Sequence, residues 1–135
     1  AIMAENNLPL REEYILDVGE FSELGGLTGM KRLLSLAEPP TAVVAINDLV
    51  AAGALQAILR LGYAVPSDFS IVGFDDSLIT DLTEPNISSI HYDYSLYGKK
   101  LIDTALSAIA GEPCERQCVI PITLSVKESC RKIDA

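Results

Sequence analysis

Basic residues are scarce in this chain: 10 lysines and arginines stand against 19 aspartates and glutamates, giving a formal net charge of −9 over 135 residues. Such a surface has no general attraction for a phosphate backbone, so any nucleic-acid contact has to be made elsewhere. Long apolar runs are also lacking. No stretch approaches the ~20 residues that a membrane-crossing helix needs, and none has the charged start, apolar middle and small-residue cleavage site of an export signal. There is one histidine, His91, and there are three cysteines, Cys114, Cys118 and Cys130. The cysteine spacing fits no common zinc signature, so these are read as reduced thiols, and no metal or other cofactor is expected. A glycine-rich phosphate loop, a G-x-S-x-G elbow, and a histidine with an evident serine or cysteine nucleophile are all absent. Paired acids at a strand end, Asp75-Asp76, resemble a magnesium site for phosphoryl transfer. Here, however, the pair does not sit on a first strand, and no lysine closes a later one. The chain is therefore expected not to be an enzyme. It has no internal repeat, linker or low-complexity segment, and its length and 49 % apolar content suit one domain with a sizeable core.

What is present centres on residues 41–76. Residues 41–46 form a short β-branched run, the pattern of a strand buried on both faces. Asn47-Asp48 ends it, and Asp48 is expected to cap the helix that follows. That helix, 49–61, repeats apolar residues at Leu49, Ala52, Leu55, Ile58 and Leu59, with Gln56 and Arg60 on the outer side. Gly62 and Pro66 end it, and 70–74 is a second buried strand closed by Asp75-Asp76. A strand–helix–strand unit of this length is a right-handed crossover between parallel strands. Both polar pairs then lie at the carboxyl ends of parallel strands, where open α/β sheets bind ligands.

The remainder follows the same pattern. Residues 1–7 look like the end of a helix, 14–18 a strand, and 22–36 a helix capped by Ser22 and weakened by Gly25, Gly26 and Gly29. Residues 77–82 suit a short helix or loop, 87–92 a strand, 94–110 an amphipathic helix ended by Gly111, and 119–126 a last strand. Three strand ends thus carry functional groups. Phe21 offers an apolar face for a sugar-sized ligand, Asn47 a donor and an acceptor, and Asp75 two strong acceptors. Plainer roles compete: Phe21 as core, Asn47 as a helix cap, and Asp76 as a cap of the next turn. Tyr63, Tyr92 and Tyr97 are read as packing residues, Lys99-Lys100 as a solvated helix face, and His91 as having no obvious partner. Ala51, Ala52 and Ala54 would let another element approach closely, unless they pack on the chain's own sheet.

Pro40-Thr41-Ala42, Asn47-Asp48, Gly53-Ala54-Leu55, Val65-Pro66-Ser67-Asp68, Ile71-Val72-Gly73-Phe74-Asp75-Asp76, Pro85 and Ile87-Ser88-Ser89-Ile90 recur here in one order and spacing. Together they resemble the effector-binding domain of the LacI/GalR (lactose-repressor-like) transcription regulators, over nearly the whole chain. The resemblance implies an α/β fold, a parallel sheet with flanking helices, like the C-terminal lobe of a periplasmic-binding-protein-like effector domain. It implies effector contacts at Phe21, Asn47 and Asp75, with Tyr94 lining the same pocket from the far side. Residues 1–91 and 122–135 would form the second lobe, and 92–121 would return to a first lobe outside this chain. The implied function is sensing a small-molecule effector, a sugar or related polyol, in a regulator whose operator DNA is bound by an N-terminal part not included here. A nucleobase would also suit Phe21, Asn47 and Asp75. A homodimer, a cytoplasmic location and no membrane contact are expected. The rival is a secreted or periplasmic sugar-binding protein of similar fold.

Overall fold

Two glycine-bearing helices set the position of everything else. The computed structural model describes residues 2–6, 8–9, 11–114 and 117–132. It contains α1 (Ile2–Glu5), a 3-10 turn (Glu12–Tyr14), α2 (Glu23–Leu34), β1 (Ala42–Val44), α3 (Asp48–Arg60) and β2 (Ser70–Phe74). These are followed by α4 (Ile79–Leu82), β3 (Ser88–Tyr92), α5 (Tyr94–Ala110) and β4 (Ile122–Ser125). The four strands lie in the order β1-β2-β3-β4. The first three are parallel and β4 is antiparallel to β3, with Ser89 opposite Ser125. Parallel β1 and β2 accord with the crossover read from the sequence, β3 extends the parallel sheet, and α5 brings the chain back so that β4 runs the other way.

The glycines expected to weaken α2 are contact points. A Cβ on Gly26 would overlap the Val50 carbonyl, and one on Gly53 would overlap the Glu23 carbonyl and lie 2.8 Å from the Leu27 amide. The two helices therefore cross with backbone against backbone. Gly29 likewise leaves room for Val18, whose Cγ1 would be 2.7 Å from an added Cβ. Close approach turns the buried stripe of α3 toward Val50, Ala51, Ala54, Leu55, Ala57 and Ile58. Leu49 and Leu59, placed on the apolar face by spacing alone, are exposed. Ala51 and Ala54 are buried within the chain, so they are not available to a second subunit.

Two strand expectations change. Residues 41–46 are covered on one face only: Val44 is 80 % and Ile46 60 % exposed, while Ala45 is buried. Strand alternation puts Val44 and Ile46 on the face opposite buried Ala45, and that face is left uncovered. Residues 14–18 form no strand. The Tyr14 hydroxyl donates to the Glu38 carbonyl at 2.6 Å, and Arg11 pairs with Glu38, which draws Glu12–Tyr14 into the 3-10 turn. Leu16 and Val18 then pack against the core beside α2 instead of pairing with β1. A cavity of about 450 Å³ separates the two, lined by Ile15, Leu16, Val18, Val44, Ile46 and Phe74 among others.

The last helix behaves differently. It runs from Tyr94 to Ala110 as its periodicity predicts, with Asp93 accepting from the Leu96 amide at one end and Gly111 left-handed at the other. None of its residues is buried, and Leu101, Ile102, Leu106 and Ile109 stand 53–83 % exposed. Lys99 pairs with Asp103 at 2.9 Å on its solvated side. The final strand is shorter than the 119–126 expected. After it the chain returns to the sheet, where buried Ser129 donates to the Ile71 carbonyl at 2.6 Å and accepts from the Ser88 amide at 2.8 Å. Residues 1, 7 and 133–135, assigned above to a helix end and to the second lobe, lie outside the described residues.

Candidate functional site

Phe21 and Asn47 come together where two helices begin. Ser22 caps α2 as expected, its Oγ accepting from the Gly25 amide at 3.1 Å, which leaves Phe21 just outside the helix and 69 % exposed. Phe21 is therefore not core. Asn47, not Asp48, caps α3: its Oδ1 accepts from the Val50 amide at 2.8 Å, and its Nδ2 donates to the Phe21 carbonyl at 3.3 Å. One acceptor of Asn47 is thus committed to the helix end, while the amide also fixes the chain beside the Phe21 ring.

Asp75 follows β2 in a turn where both acids take left-handed backbone angles, φ 105° at Asp75 and 51° at Asp76. Non-glycine residues adopt such angles at a cost, and they persist only where surroundings hold them. The Asp75 amide donates to the Ile90 carbonyl at 3.0 Å, and the Tyr94 hydroxyl donates to the Asp75 carbonyl. The Tyr92 hydroxyl lies 3.5 Å from Asp75 Oδ1. Burial and the negative charge of Asp48 push the Asp75 carboxyl above its ordinary range, and the Tyr92 hydroxyl partly offsets them. The Tyr94 phenol is pushed up to about 12, by burial first and then by Tyr92 and the nearby acids, so it remains a neutral donor.

Tyr92, read from sequence as packing, sits at the centre of an aromatic group. Its ring lies 4.5 Å from Tyr94, 5.6 Å from Tyr97 and 6.1 Å from Phe74. Strand alternation could have found it: Tyr92 shares a face of β3 with Ile90, which is paired with Phe74 at the end of β2. Tyr63 does pack, edge to face with Phe69 at 5.3 Å.

Asp76 turns the other way. Its Oδ1 is 3.0 Å from Lys127 Nζ and its Oδ2 is 3.4 Å from His91 Nδ1, while Lys127 also reaches Asp81 and Thr80 Oγ1, each at 2.6 Å. The contact of Asp76 with Lys127 is a charge contact without hydrogen-bond geometry. Asp76 is thus held in an ion network instead of capping the next turn, since α4 has no side-chain cap. His91 lies beside Asp76, yet among the described residues its Nδ1 makes no hydrogen bond. Asp48 is buried and bonds across to the 75–77 turn and to Ser89.

The four residues singled out therefore stand as two pairs, Phe21 with Asn47 and Asp75 with Tyr94; Asn47, Asp75 and Tyr94 follow β1, β2 and β3, whereas Phe21, expected at a strand end, precedes α2 and is held there by Asn47. The apolar cavity includes none of the four, and an apolar lining does not suit a polyhydroxylated ligand. Among the described residues no three histidine, cysteine or acidic side chains are arranged to hold a metal ion, and no helix is long and apolar enough to cross a membrane. Cys114 and Cys118 are exposed and Cys130 is half-buried, all free thiols.

The family model of the periplasmic binding protein-like domain matches residues 1–130. The chain is 33 % identical over 132 residues to the HTH-type transcriptional repressor PurR of Mannheimia succiniciproducens, spanning 97 % of this chain and 39 % of that protein. A putative transcriptional regulator LacI from Bacillus cereus superposes with a TM-score of 0.87 at 27 % identity, over 98 % of this chain and 47 % of that one. The transcriptional regulator CelR in complex with cellobiose superposes with a TM-score of 0.85 at 30 % identity, over 94 % of this chain and 39 % of that one. The chain thus spans half or less of the length of the proteins it matches. Those relatives are transcription regulators, not enzymes.

Proposed function

Because this chain belongs to the periplasmic binding protein-like effector-binding domains of the LacI/GalR regulators, we propose that it is the effector-sensing part of a DNA-binding transcription regulator. Operator DNA is bound by a part of the protein outside this sequence, a reading that the net charge of −9 supports. Residues 1–91 and 122–135 act as the second lobe. Residues 92–121, including α5 with its uncovered apolar side, belong against the first. The regulator works as a cytoplasmic homodimer, and its subunit contact uses surface other than Ala51 and Ala54.

The effector is a sugar or related polyhydroxyl compound. The observation that carries this is the exposed Phe21 ring, held beside Asn47 at the end of β1, and the Asp75 carboxylate beside Tyr92 and Tyr94 at the ends of β2 and β3. Sugars are held by an aromatic face against C–H groups and by fixed acceptors for hydroxyls. The cellobiose bound by CelR supports the same class of ligand. Repressor relatives favour a regulator over an exported binding protein.

Titration calorimetry of the full-length regulator with cellobiose, ribose and guanine tests the reading. A saccharide is expected to bind, and Asp75→Asn to weaken it by about 1–3 kcal/mol, the cost of a lost charged hydrogen bond. Binding of guanine with neither saccharide would refute the sugar assignment and favour a flat ring stacked on Phe21.

A further inference from the structure

Asp48 is 1 % exposed, and among the described residues it has no cationic partner. A buried carboxylate without one is costly unless its oxygens are fully hydrogen-bonded. Here they are. Oδ2 accepts from the Ser77 amide at 2.6 Å and from the Ser77 hydroxyl at 2.8 Å, and Oδ1 accepts from the Ser89 hydroxyl at 2.6 Å. Ser89 Oγ in turn accepts from the Asp76 amide at 3.0 Å. Two successive amides of the turn after β2 therefore end on Asp48, one directly and one through Ser89. The carboxylate also sits in the first turn of α3, where the helix dipole favours negative charge. Gly73 completes the arrangement: a Cβ there would overlap Asp48 Oδ1, so only glycine lets the carboxylate lie against β2.

These bonds end on Asp76 and Ser77, directly after Asp75, in the turn where Asp75 and Asp76 take left-handed backbone angles. We propose that Asp48 is a positioning residue that holds the 75–77 turn in its strained form and so presents Asp75 to the effector, without touching the effector itself. The inference rests on the reading of Asp75 as an effector acceptor. Its geometric content, that Asp48 sets the turn, stands apart from the identity of the ligand. The groups facing Asp75 are Asp48 from α3, Tyr92 from β3 and Tyr94 from α5, while His91 and Lys127 face Asp76. The repulsion that Asp48 exerts on Asp75 gives a signature that a merely structural side chain lacks.

The test needs no ligand. Carbon-13 titration of the Asp75 carboxyl and amide exchange at Asp76 and Ser77 are compared in the parent chain, Asp48→Asn, Ser89→Ala and Asp48→Ala. The side chain introduced by Asp48→Asn keeps the shape of the carboxylate: its oxygen can still accept from Ser77 and its NH2 can donate to Ser89. Both amides should stay protected in that variant while the Asp75 titration moves to lower pH. Ser89→Ala should speed exchange at Asp76 at least tenfold and leave Ser77 unchanged. Asp48→Ala should speed both, while the Ile71 amide, held by Ser129 at 3.0 Å, stays protected. The assignment is overturned if Asp75 titrates identically in Asp48→Asn, or if Ser89→Ala leaves Asp76 as protected as before. A variant that loses protection at Ile71 as well would show Asp48 to be a general core residue. If all ligand-free outcomes hold but Asp75→Asn leaves saccharide binding intact, the effector role of Asp75 fails and the positioning of the turn survives.

Discussion

Replacing Gly53 by alanine tests the account of the α2–α3 crossing. Helix propensity alone predicts a gain, because alanine in a helix interior is favoured over glycine by about 1 kcal/mol. The structure reverses the sign. The new Cβ would overlap the Glu23 carbonyl oxygen and press on the Leu27 amide, and both are backbone atoms that no rotamer change can move. The helices must part by about an ångström, loosening the contacts of Ala54, Ala57 and Met30, all of them buried. Overpacking of a tight core costs ~1–3 kcal/mol, and a backbone clash belongs at the upper end. After the propensity gain, a net loss of about 2 kcal/mol is expected. With a urea m-value of about 1–3 kcal/mol per molar, the unfolding midpoint should fall by roughly 1 M. Gly98→Ala is the control. Its Cβ would meet nothing within 4 Å, so α5 should gain helicity by far-UV circular dichroism. A midpoint that rises in Gly53→Ala would refute the backbone crossing.

Further outcomes are expected. The Asp75 carboxyl is raised in the folded chain, so its ionised form costs stability above its folded pKa, and the cost disappears below the ordinary value of 3.8. Asp75→Asn should therefore stabilise the ligand-free chain at neutral pH, with the difference fading as pH falls through the folded pKa and absent below 3.8, while Asp76→Asn should destabilise it by removing one of the two acids paired with Lys127. Equal effects of the two substitutions in thermal melts would contradict the opposite facing of the two acids. Tyr92→Phe removes the hydroxyl that lowers the Asp75 carboxyl, so the Asp75 titration by NMR should move upward; no movement would place that hydroxyl elsewhere in solution. With no buried residue, α5 should exchange its amides far faster than α3, and equal protection would mean that something covers it.

The parts of the fold legible in the sequence are those fixed by local signals. Asp93, Gly111 and seventeen residues of even periodicity determine α5 to the residue, and Ser22 and Gly62 mark their helix ends. The strands at 70–74 and 87–92 follow from short runs bounded by turns. What sequence could not supply was the arrangement of neighbours. Residues 14–18 have a strand's composition, yet a strand needs a partner, and Tyr14 bonds to Glu38 instead. Leu49 and Leu59 fit the helical stripe, but the backbone contact at Gly26 and Gly53 rotates it away from them. At the candidate site, Asn47 and Asp75 are legible as polar groups that close apolar strands, whereas the strand expected before Phe21 does not form. Tyr92 was passed over because a tyrosine in a strand reads as packing, and Asp48 because an acid after a strand reads as a cap. Both act through residues distant in the chain, which spacing does not reveal.

The side of β1 that faces away from β2 has a consequence for how the chain behaves in company. Ala45 and Ser70 make their bonds across the β1–β2 ladder, and on the other side the described residues give Ala42–Val44 no ladder partner. A row of unpaired amides and carbonyls next to an apolar cavity, with Val44 and Ile46 beside it, is a template for any extended apolar segment. Left alone in solution, such a template recruits the same region of another copy. The chain by itself should therefore associate through its sheet as its concentration rises, and this self-recognition would compete with folding long before it competed with effector.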